Sequence, residues 1–544
     1  MEVGSQLASK IPKVDEKPHD YLGPMNPKSI CFLPTHENEI VHVVNSLKPN
    51  ASPGEDSLSP KIIRIIIKHI ALPLSKIYNL SLLTGCFPNK LKVAKVTPIF
   101  KADDRQCVSN YRPISVLPFF SKILEKIMYN RLMSFFTKYN ILTEKQFGFR
   151  EQLSTYLALL SLIDTITNEL DAHKFSLGIF IDLSKAFDTL DHNILLSKLA
   201  HYGIRGIIND WFHSYLSDRL QFVSIGSSLS SKRVIKCGVP QGSILGPLLF
   251  IIYINDIINV TKLATLILYA DDTNMFLTHS DLDVLIQNAN NELAKLSKWF
   301  AANKLSLNIK KTNFILFRTR NKKINCRPEI KVDNVAVTQV TCTKFLGVLI
   351  NETLTWNDHI RSVLNKVSKS TGVIRRVSHK LPVSILMNLY STLVHPYFEY
   401  CNIIWASDYT SHVDKVMISQ RKVLRAVHRL SWTACTKFLF AKYSLLNIIE
   451  INKLQTGCFV YKALNGLLPH YFSYLFTSNC QIHVHDTRHS EDLHILGHRT
   501  HLRSTSIRIC GVKIWNSIDA VIRNSHTFNL FKKHLKHYLI FQSV

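Results

Sequence analysis

The heptapeptide LYADDTN, residues 268–274, sets two aspartates, Asp271 and Asp272, side by side in an otherwise apolar segment. Adjacent carboxylates repel, and a buried charge without a partner is costly. Side chains alternate faces along a strand, so both acids can aim at one point only at a tight turn. The flanks fit that demand: TLILY (265–269) reads as one strand and TNMFLTH (273–279) as the next. A carboxylate cluster at a hairpin tip suits a divalent cation, and Mg²⁺ prefers carboxylate oxygens together with substrate phosphates. Bound metal also removes the repulsion that would otherwise raise a carboxylate pKa. Asp182, which ends the apolar run LGIFID (177–182), is the best third ligand. In a phosphoryl-transfer site two Mg²⁺ ions roughly 3.5–4 Å apart clamp the attacking and leaving oxygens. Any one of these aspartates alone reads as a turn or helix cap, whereas three at strand ends point to metal.

Composition bounds what surrounds that cluster. The chain has 544 residues, 46% of them apolar, enough for a large core. Its 66 basic and 39 acidic residues leave a net charge of +27, which favours a polyanionic partner such as nucleic acid over a merely solvated surface. Eleven scattered cysteines without a C-x-x-C pair read as reduced intracellular thiols. No apolar run reaches the roughly 20 residues of a membrane helix, and the first residues lack the apolar core of a secretory signal.

The pattern is α+β. Residues 1–80 read as an N-terminal linker with a helical extension, in which residues 59–85 have helical period and suit a buried helical pair. The runs around 91–100 and 110–117 flank a charged loop and predict a hairpin. Buried strands and helices alternate from 175 to 277, a long helix follows over 282–308, and basic helices dominate beyond about 351.

Several blocks in fixed order carry a family likeness: NYRPISVLPFFSKILEKIMYNRL (110–132), QFGFR (146–150), FIDLSKAFD (180–188), SYLSDRLQFV (214–223), GVPQGSILGP (238–247), YADD (269–272), NKLSLNIKKT (303–312) and FLGV (345–348). Together they resemble the reverse transcriptase of non-LTR, LINE-type retrotransposons, the jockey-like group in particular. The tail at 511–539 is similar to that group as well. The resemblance implies a right-hand polymerase with an antiparallel palm sheet: fingers and palm over 81–350, and a helical thumb with a basic nucleic-acid-binding region over 351–544. It implies an RNA-directed DNA polymerase using RNA template, DNA primer or target DNA, dNTPs and two Mg²⁺ ions. A nuclear location fits, since chromosomal DNA primes these elements.

The resemblance also implies roles. Asp182, Asp271 and Asp272 match the catalytic, metal-binding carboxylates, and Lys311 matches a basic position that protonates departing pyrophosphate. Phe187 matches the steric gate against a 2′-hydroxyl. Lys101 and Arg112, with Arg150 a weaker candidate, resemble triphosphate-holding residues. Gln241 and Gly242 match positions beside the template base and incoming nucleotide. Phe345, Leu346 and Gly347 match the primer grip, and Asn308 is expected to fix the turn of the NIKKT motif (308–312) that holds Lys311.

Farther along, Arg421, Arg425 and Arg429 fall at i, i+4 and i+8 and predict one basic helix face for a phosphate backbone. Cys480, His483, His485 and His489 could make a zinc site, but their spacing fits no common finger, so a surface or RNA-contacting loop is preferred. Family members usually carry an endonuclease before the polymerase. Residues 32–56 resemble the linker between the two, so the endonuclease is expected to be absent, and no RNase H module is apparent. The alternatives are a catalytically silent, retroelement-derived nucleic-acid-binding protein and an intron maturase.

Overall fold

Four strands buried on both faces organise the molecule. The computed structural model describes residues 11–12, 14–101, 104–322, 324, 328–407, 411–482 and 490–542. In chain order, the elements used below begin with helix α1 (Pro60–Thr84), strands β1 (Val93–Phe100) and β2 (Tyr111–Val116), and helices α2 (Phe119–Lys138) and α3 (Thr155–Asp171). Then come β3 (Phe175–Ile181), β4 (Leu220–Ile225), α4 (Leu245–Tyr253), β5 (Thr265–Tyr269), β6 (Asp272–His279), α5 (Leu282–Ala302) and β7 (Asn313–Phe317). The remainder holds β8 (Thr338–Gln339), β9 (Cys342–Phe345), β10 (Val348–Asn351), α6 (Asn357–Val377), α7 (Ser411–His428), α8 (Ile448–Leu464) and α9 (Phe528–Gln542).

The central sheet runs β8-β7-β3-β6-β5. Its four long strands are antiparallel, and only the two-residue edge strand β8 pairs in parallel, so the sheet is mixed. Both faces are covered, which is why FSLGIFI reads as an unbroken apolar run. Leu177, Ile179 and Ile181 of β3 face one core with Met275, Leu277, Phe314 and Leu316. Phe180, Phe276, Ile315 and Phe317 face the other. Helix α5 closes the first core and α3 the second. A second sheet holds the expected hairpin, β1 against β2, with β4 parallel on the other side of β1.

The N-terminal residues join the first core through Ile30, Ile40, Val43 and Val44. The expected buried helical pair at 59–85 is instead one continuous helix, α1, with Pro73 inside it. One face of α1 packs through Ile63, Ile67 and Tyr78, while Ile65, Leu80 and Leu83 are exposed. Period alone identifies a helix, but not how many of its faces find a partner.

The C-terminal helices dock on α3 through buried charge. Asp164 accepts from Arg503 at 3.1 Å and from Arg508 at 2.9 Å, so two of the many basic residues act structurally.

Candidate active site

Strand register brings the acids together. Ile181, the last residue of β3, pairs with Thr273 of β6. One further step of that register sets Asp182 across from Asp272, on strands about 4.8 Å apart. β5 and β6 join through a two-residue turn, Ala270-Asp271, closed by the pair Tyr269–Asp272. Residues nearly ninety positions apart therefore converge on one edge, as the sequence predicted.

The turn is unusual. Ala270 has φ 54°, a left-handed conformation normally left to glycine at the first central position and costing a side-chain-bearing residue roughly 1–2 kcal/mol. The segment QFGFR clamps it. Buried Gln146 accepts through Oε1 from the Ala270 N–H at 2.9 Å and from the Gly148 N–H at 2.8 Å. Phe147 N–H donates to Leu268 O at 2.8 Å. A Cβ on Gly148 would stand 2.3 Å from Ala270 N, so only glycine lets the clamp close.

The electrostatics are those of crowded acids. Burial and the charge of Asp182 raise the Asp271 carboxyl above the usual range, while Arg112 and Lys101 pull it down. Asp272 is exposed as a residue, yet desolvation of its carboxyl, then the charges of Asp271 and Asp182, push it up to about 6. Asp182 is oriented from the far strand's approach. Asn308 Nδ2 donates to its Oδ2 at 2.9 Å, and Asn308 N–H donates to its carbonyl at 2.9 Å. Thr312 Oγ1 accepts from Asp182 N–H at 3.3 Å.

This donor set fits a hard divalent cation. Among the described residues no three His, Cys, Asp or Glu side chains form a ready cage.

The other expected residues fall as follows. Lys101 and Arg112 are exposed on the β1–β2 hairpin, and their fields reach Asp271. Half-buried Phe187 stacks on Phe250 with centroids 4.5 Å apart, and Phe149 meets it edge-on at 6.2 Å. Gln241 Nε2 donates to Asp188 Oδ1 at 2.9 Å, and its carbonyl accepts from Ser115 N–H at 2.7 Å. Gly242 has φ 126°, and a Cβ there would meet Ser115 O at 2.4 Å. The loop is thus pressed against the hairpin. Arg150 donates to Thr143 O at 2.5 Å. Lys311 is exposed just before β7, and its side chain contacts none of the three carboxylates among the described residues.

The FLGV stretch forms a second hairpin, β9 against β10, with Leu346-Gly347 as its two-residue turn. Phe345 is 3% exposed and lies 5.8 Å from Phe180, so it anchors the hairpin in the core while Leu346 and Gly347 form the tip. Tyr400 donates through its hydroxyl to Leu346 O at 2.6 Å.

Two C-terminal expectations need separate statements. The arginines of α7 do not form a free basic face. Arg425 donates to Ala434 O at 2.8 Å, and Arg429 lies past the helix end with φ 55° and donates to Ser378 O and Leu381 O. Their hydrogen bonds satisfy carbonyls at chain turns, while Val413, Val416, Val423, Leu424 and Val427 are buried as expected. An exposed basic face lies on α6 instead, with Arg361, Lys369 and Arg376. His483, His485 and His489 lie outside the described residues, and Cys480 is exposed.

Gln146, Asp188 and Tyr400 are the residues that sequence reasoning missed. Gln146 and Asp188 carried a usable signal, their places in the quoted blocks QFGFR and FIDLSKAFD, and Tyr400 carried none. Asp188 is half-buried, and burial raises its carboxyl against the lowering effect of the Gln241 bond.

Residues 99–350 match the family model for reverse transcriptase (RNA-dependent DNA polymerase). The chain is 28% identical to the "Probable RNA-directed DNA polymerase from transposon BS" of Drosophila melanogaster over 73% of its own length and 45% of that protein's. It is 29% identical to the "RNA-directed DNA polymerase from mobile element jockey" of Drosophila funebris over 74% of its length and 45% of the relative's. For the "Probable RNA-directed DNA polymerase from transposon X-element" of Drosophila melanogaster the figures are 26%, 80% and 49%. The chain thus spans about half the length of the curated relatives it matches. Among the described residues no helix is long and apolar enough to cross a membrane. The chain thus carries a reverse transcriptase domain over residues 99–350, which implies a right-hand polymerase fold, and is similar to the RNA-directed DNA polymerases of non-LTR retrotransposons.

Proposed function

We propose that the chain is an RNA-directed DNA polymerase that extends a primer 3′-hydroxyl on an RNA template with dNTPs. The observation that carries this reading is the register that sets Asp182 across from Asp272, with Asp271 in the turn beside it. A binding protein has no use for three mutually repelling acids at one strand edge. In this reading β1, β2 and β4 belong to the fingers, the central sheet to the palm, and the helices beyond residue 351 to the thumb and a nucleic-acid-binding region.

Asp182, Asp271 and Asp272 would hold Mg²⁺, which when bound lowers the pKa of the primer hydroxyl and neutralises the triphosphate. The rest of the work falls to side chains. Lys101 and Arg112 hold the triphosphate; a guanidinium suits bidentate phosphate contact. Their pull on Asp271 supports a place opposite the acids. Phe187, braced by Phe250, crowds a ribose 2′-hydroxyl and so selects deoxynucleotides. Gln241 and Gly242 shape the floor beneath the template base. Leu346 and Gly347 aim the primer end, with Phe345 as their anchor. Lys311 reaches the leaving pyrophosphate as its proton donor. Catalysis is mainly positioning and charge stabilisation.

The test is primer extension by the purified chain on an RNA template with dNTPs and Mg²⁺, beside an Asp271→Asn, Asp272→Asn variant. Extension that depends on both aspartates supports the reading. RNA binding without extension in the unsubstituted chain returns it to a silent binding protein, and extension by the variant removes the assigned site.

A further inference from the structure

A cavity of about 690 Å³ opens where the start of α3, residues 395–403, α8 and α9 meet. This falls in the roughly 300–1,000 Å³ range of ligand-sized sites. No role above uses it. Tyr156, Leu454, Phe459 and Phe528 give it apolar and aromatic walls, and Lys462, Lys532 and Lys536 also line it. The one acid on its lining is Glu399. That carboxylate is bound to His395 Nε2 at 3.1 Å and held below its usual range, first by that bond and also by the charges of Lys532 and Lys536. Three lysines against one paired glutamate leave the cavity positive.

Its location narrows the occupant. Tyr400 forms part of the wall, and the same residue donates to Leu346 O at the tip of the β9–β10 hairpin. Gly347 faces the Tyr400 ring, where a Cβ would come within 3.2 Å. The cavity therefore lies directly behind the turn that, in the proposed function, aims the primer. An anion on this side of the turn is on the path of a nucleic-acid strand. Lys462 Nζ already sits 4.3 Å from the Phe528 ring centroid, so cation and aromatic face are presented together, as single-strand sites present them.

We propose that this cavity takes one unpaired nucleotide of the RNA strand, its base against Tyr156, Leu454 and Phe528 and its phosphate on Lys532 and Lys536. The chain then reads an extruded RNA base next to the primer turn, which would favour templates offering an unpaired residue at that spacing. This rests on the proposed polymerase reading for the identity of the strand.

The test uses the full chain in EDTA, so that binding is separated from catalysis. A single-stranded RNA carrying 4-thiouridine is irradiated with the protein, and crosslinked peptides are mapped by mass spectrometry. Crosslinks are expected within 155–156, 454–462 or 528–536. The Lys532→Glu, Lys536→Glu variant is expected to bind that RNA about tenfold more weakly, with a salt slope reduced by about 0.7, the value for one lost single-strand phosphate contact. Leu454→Trp puts a larger ring where the base is placed, without changing charge, and is expected to lose the crosslinks; thermal melting verifies that both variants fold. Crosslinks confined to other surfaces, or retained in Leu454→Trp, overturn the proposal. Displacement of the RNA by ATP at submillimolar concentration would also overturn it, in favour of a free-nucleotide site. Primer extension by the unsubstituted chain is scored separately: no extension with crosslinks retained breaks only the polymerase reading, and extension without crosslinks breaks only this one.

Discussion

The two hairpin tips, Ala270-Asp271 and Leu346-Gly347, are built alike and used differently. Each is a two-residue turn, and each opens on a side-chain-bearing residue at positive φ, 54° for Ala270 and 46° for Leu346. Such turns prefer Asn or Gly, so both tips carry strain, and each is held by one residue from elsewhere in the chain. Gln146 accepts from Ala270 N–H, and Tyr400 donates to Leu346 O. The first clamp is buried and doubled, since Oε1 also takes the Gly148 N–H. The second is a single bond from an exposed tyrosine. Strain that the surroundings over-determine marks a site where position matters. The firmer clamp sits where three carboxylates must meet, and the softer one where a strand end only has to be steered.

The largest effect expected from this contrast is at the acids. Asp271→Asn should lower primer extension by at least about a thousandfold, the scale of losing one preorganised charge-stabilising group. In the metal-free chain it should leave the melting temperature unchanged or higher, because it removes repulsion from Asp182 and Asp272. A variant that loses both activity and stability would mean the acids hold the fold rather than the substrate. Gln146→Met comes next. It leaves two backbone donors unpaired at about 1–3 kcal/mol each, and a shift of the turn by about 1 Å can cost about a hundredfold in rate. RNA affinity in EDTA should not change. If extension falls no further than it does for the Tyr400 variant below, the two clamps are equivalent and the contrast fails.

How far the sequence foretells these tips depends on what fixes them. The convergence of Asp182 with Asp271 and Asp272 is legible because alternation and strand ends are local signals that register then joins. Phe187 and the 238–247 loop are legible as family blocks. The Gln146 clamp is not, since it depends on two loops 124 positions apart in the chain coming together. The α7 arginines show the opposite failure. Their spacing places Arg421 and Arg425 along one side of α7, but Arg429 lies past its end, and tertiary carbonyls consume Arg425 and Arg429. The free basic face falls on α6, whose buried stripe of Ile360, Val363, Val367 and Ile374 decides which side faces out. Periodicity names a face, and only packing says what that face meets.

The second hairpin can be loosened through pH. His359, on α6, is 5% exposed, and its Nδ1 accepts from Leu349 N–H of β10 at 3.3 Å. Burial, aided by the charge of Lys366, lowers its pKa from 6.5 to about 4. Between those values the unfolded chain binds the proton and the folded chain does not, so this contribution is complete above pH 6.5 and fades as pH falls toward 4. The loss is at most about 3 kcal/mol. Melting curves at pH 7 and pH 4.5 should separate more for the unsubstituted chain than for His359→Gln; equal separations would remove His359 from the account.

Tyr400→Phe should have the smallest effect and sharpen the contrast most. It removes only the hydroxyl that reaches Leu346 O, leaving the ring against Gly347. The turn is open to water, so Leu346 O regains a solvent partner and the loss is about 1 kcal/mol, or roughly fivefold in extension efficiency. That loss should appear as weaker primer use, with the affinity for dNTP unchanged, because the Asp182 side of the site is untouched. Equal losses in primer and dNTP use would show that the tip is coupled to the acids through the core residues Phe345 and Phe180, which stand 5.8 Å apart between them, and the soft clamp would then belong to the same rigid unit as the firm one.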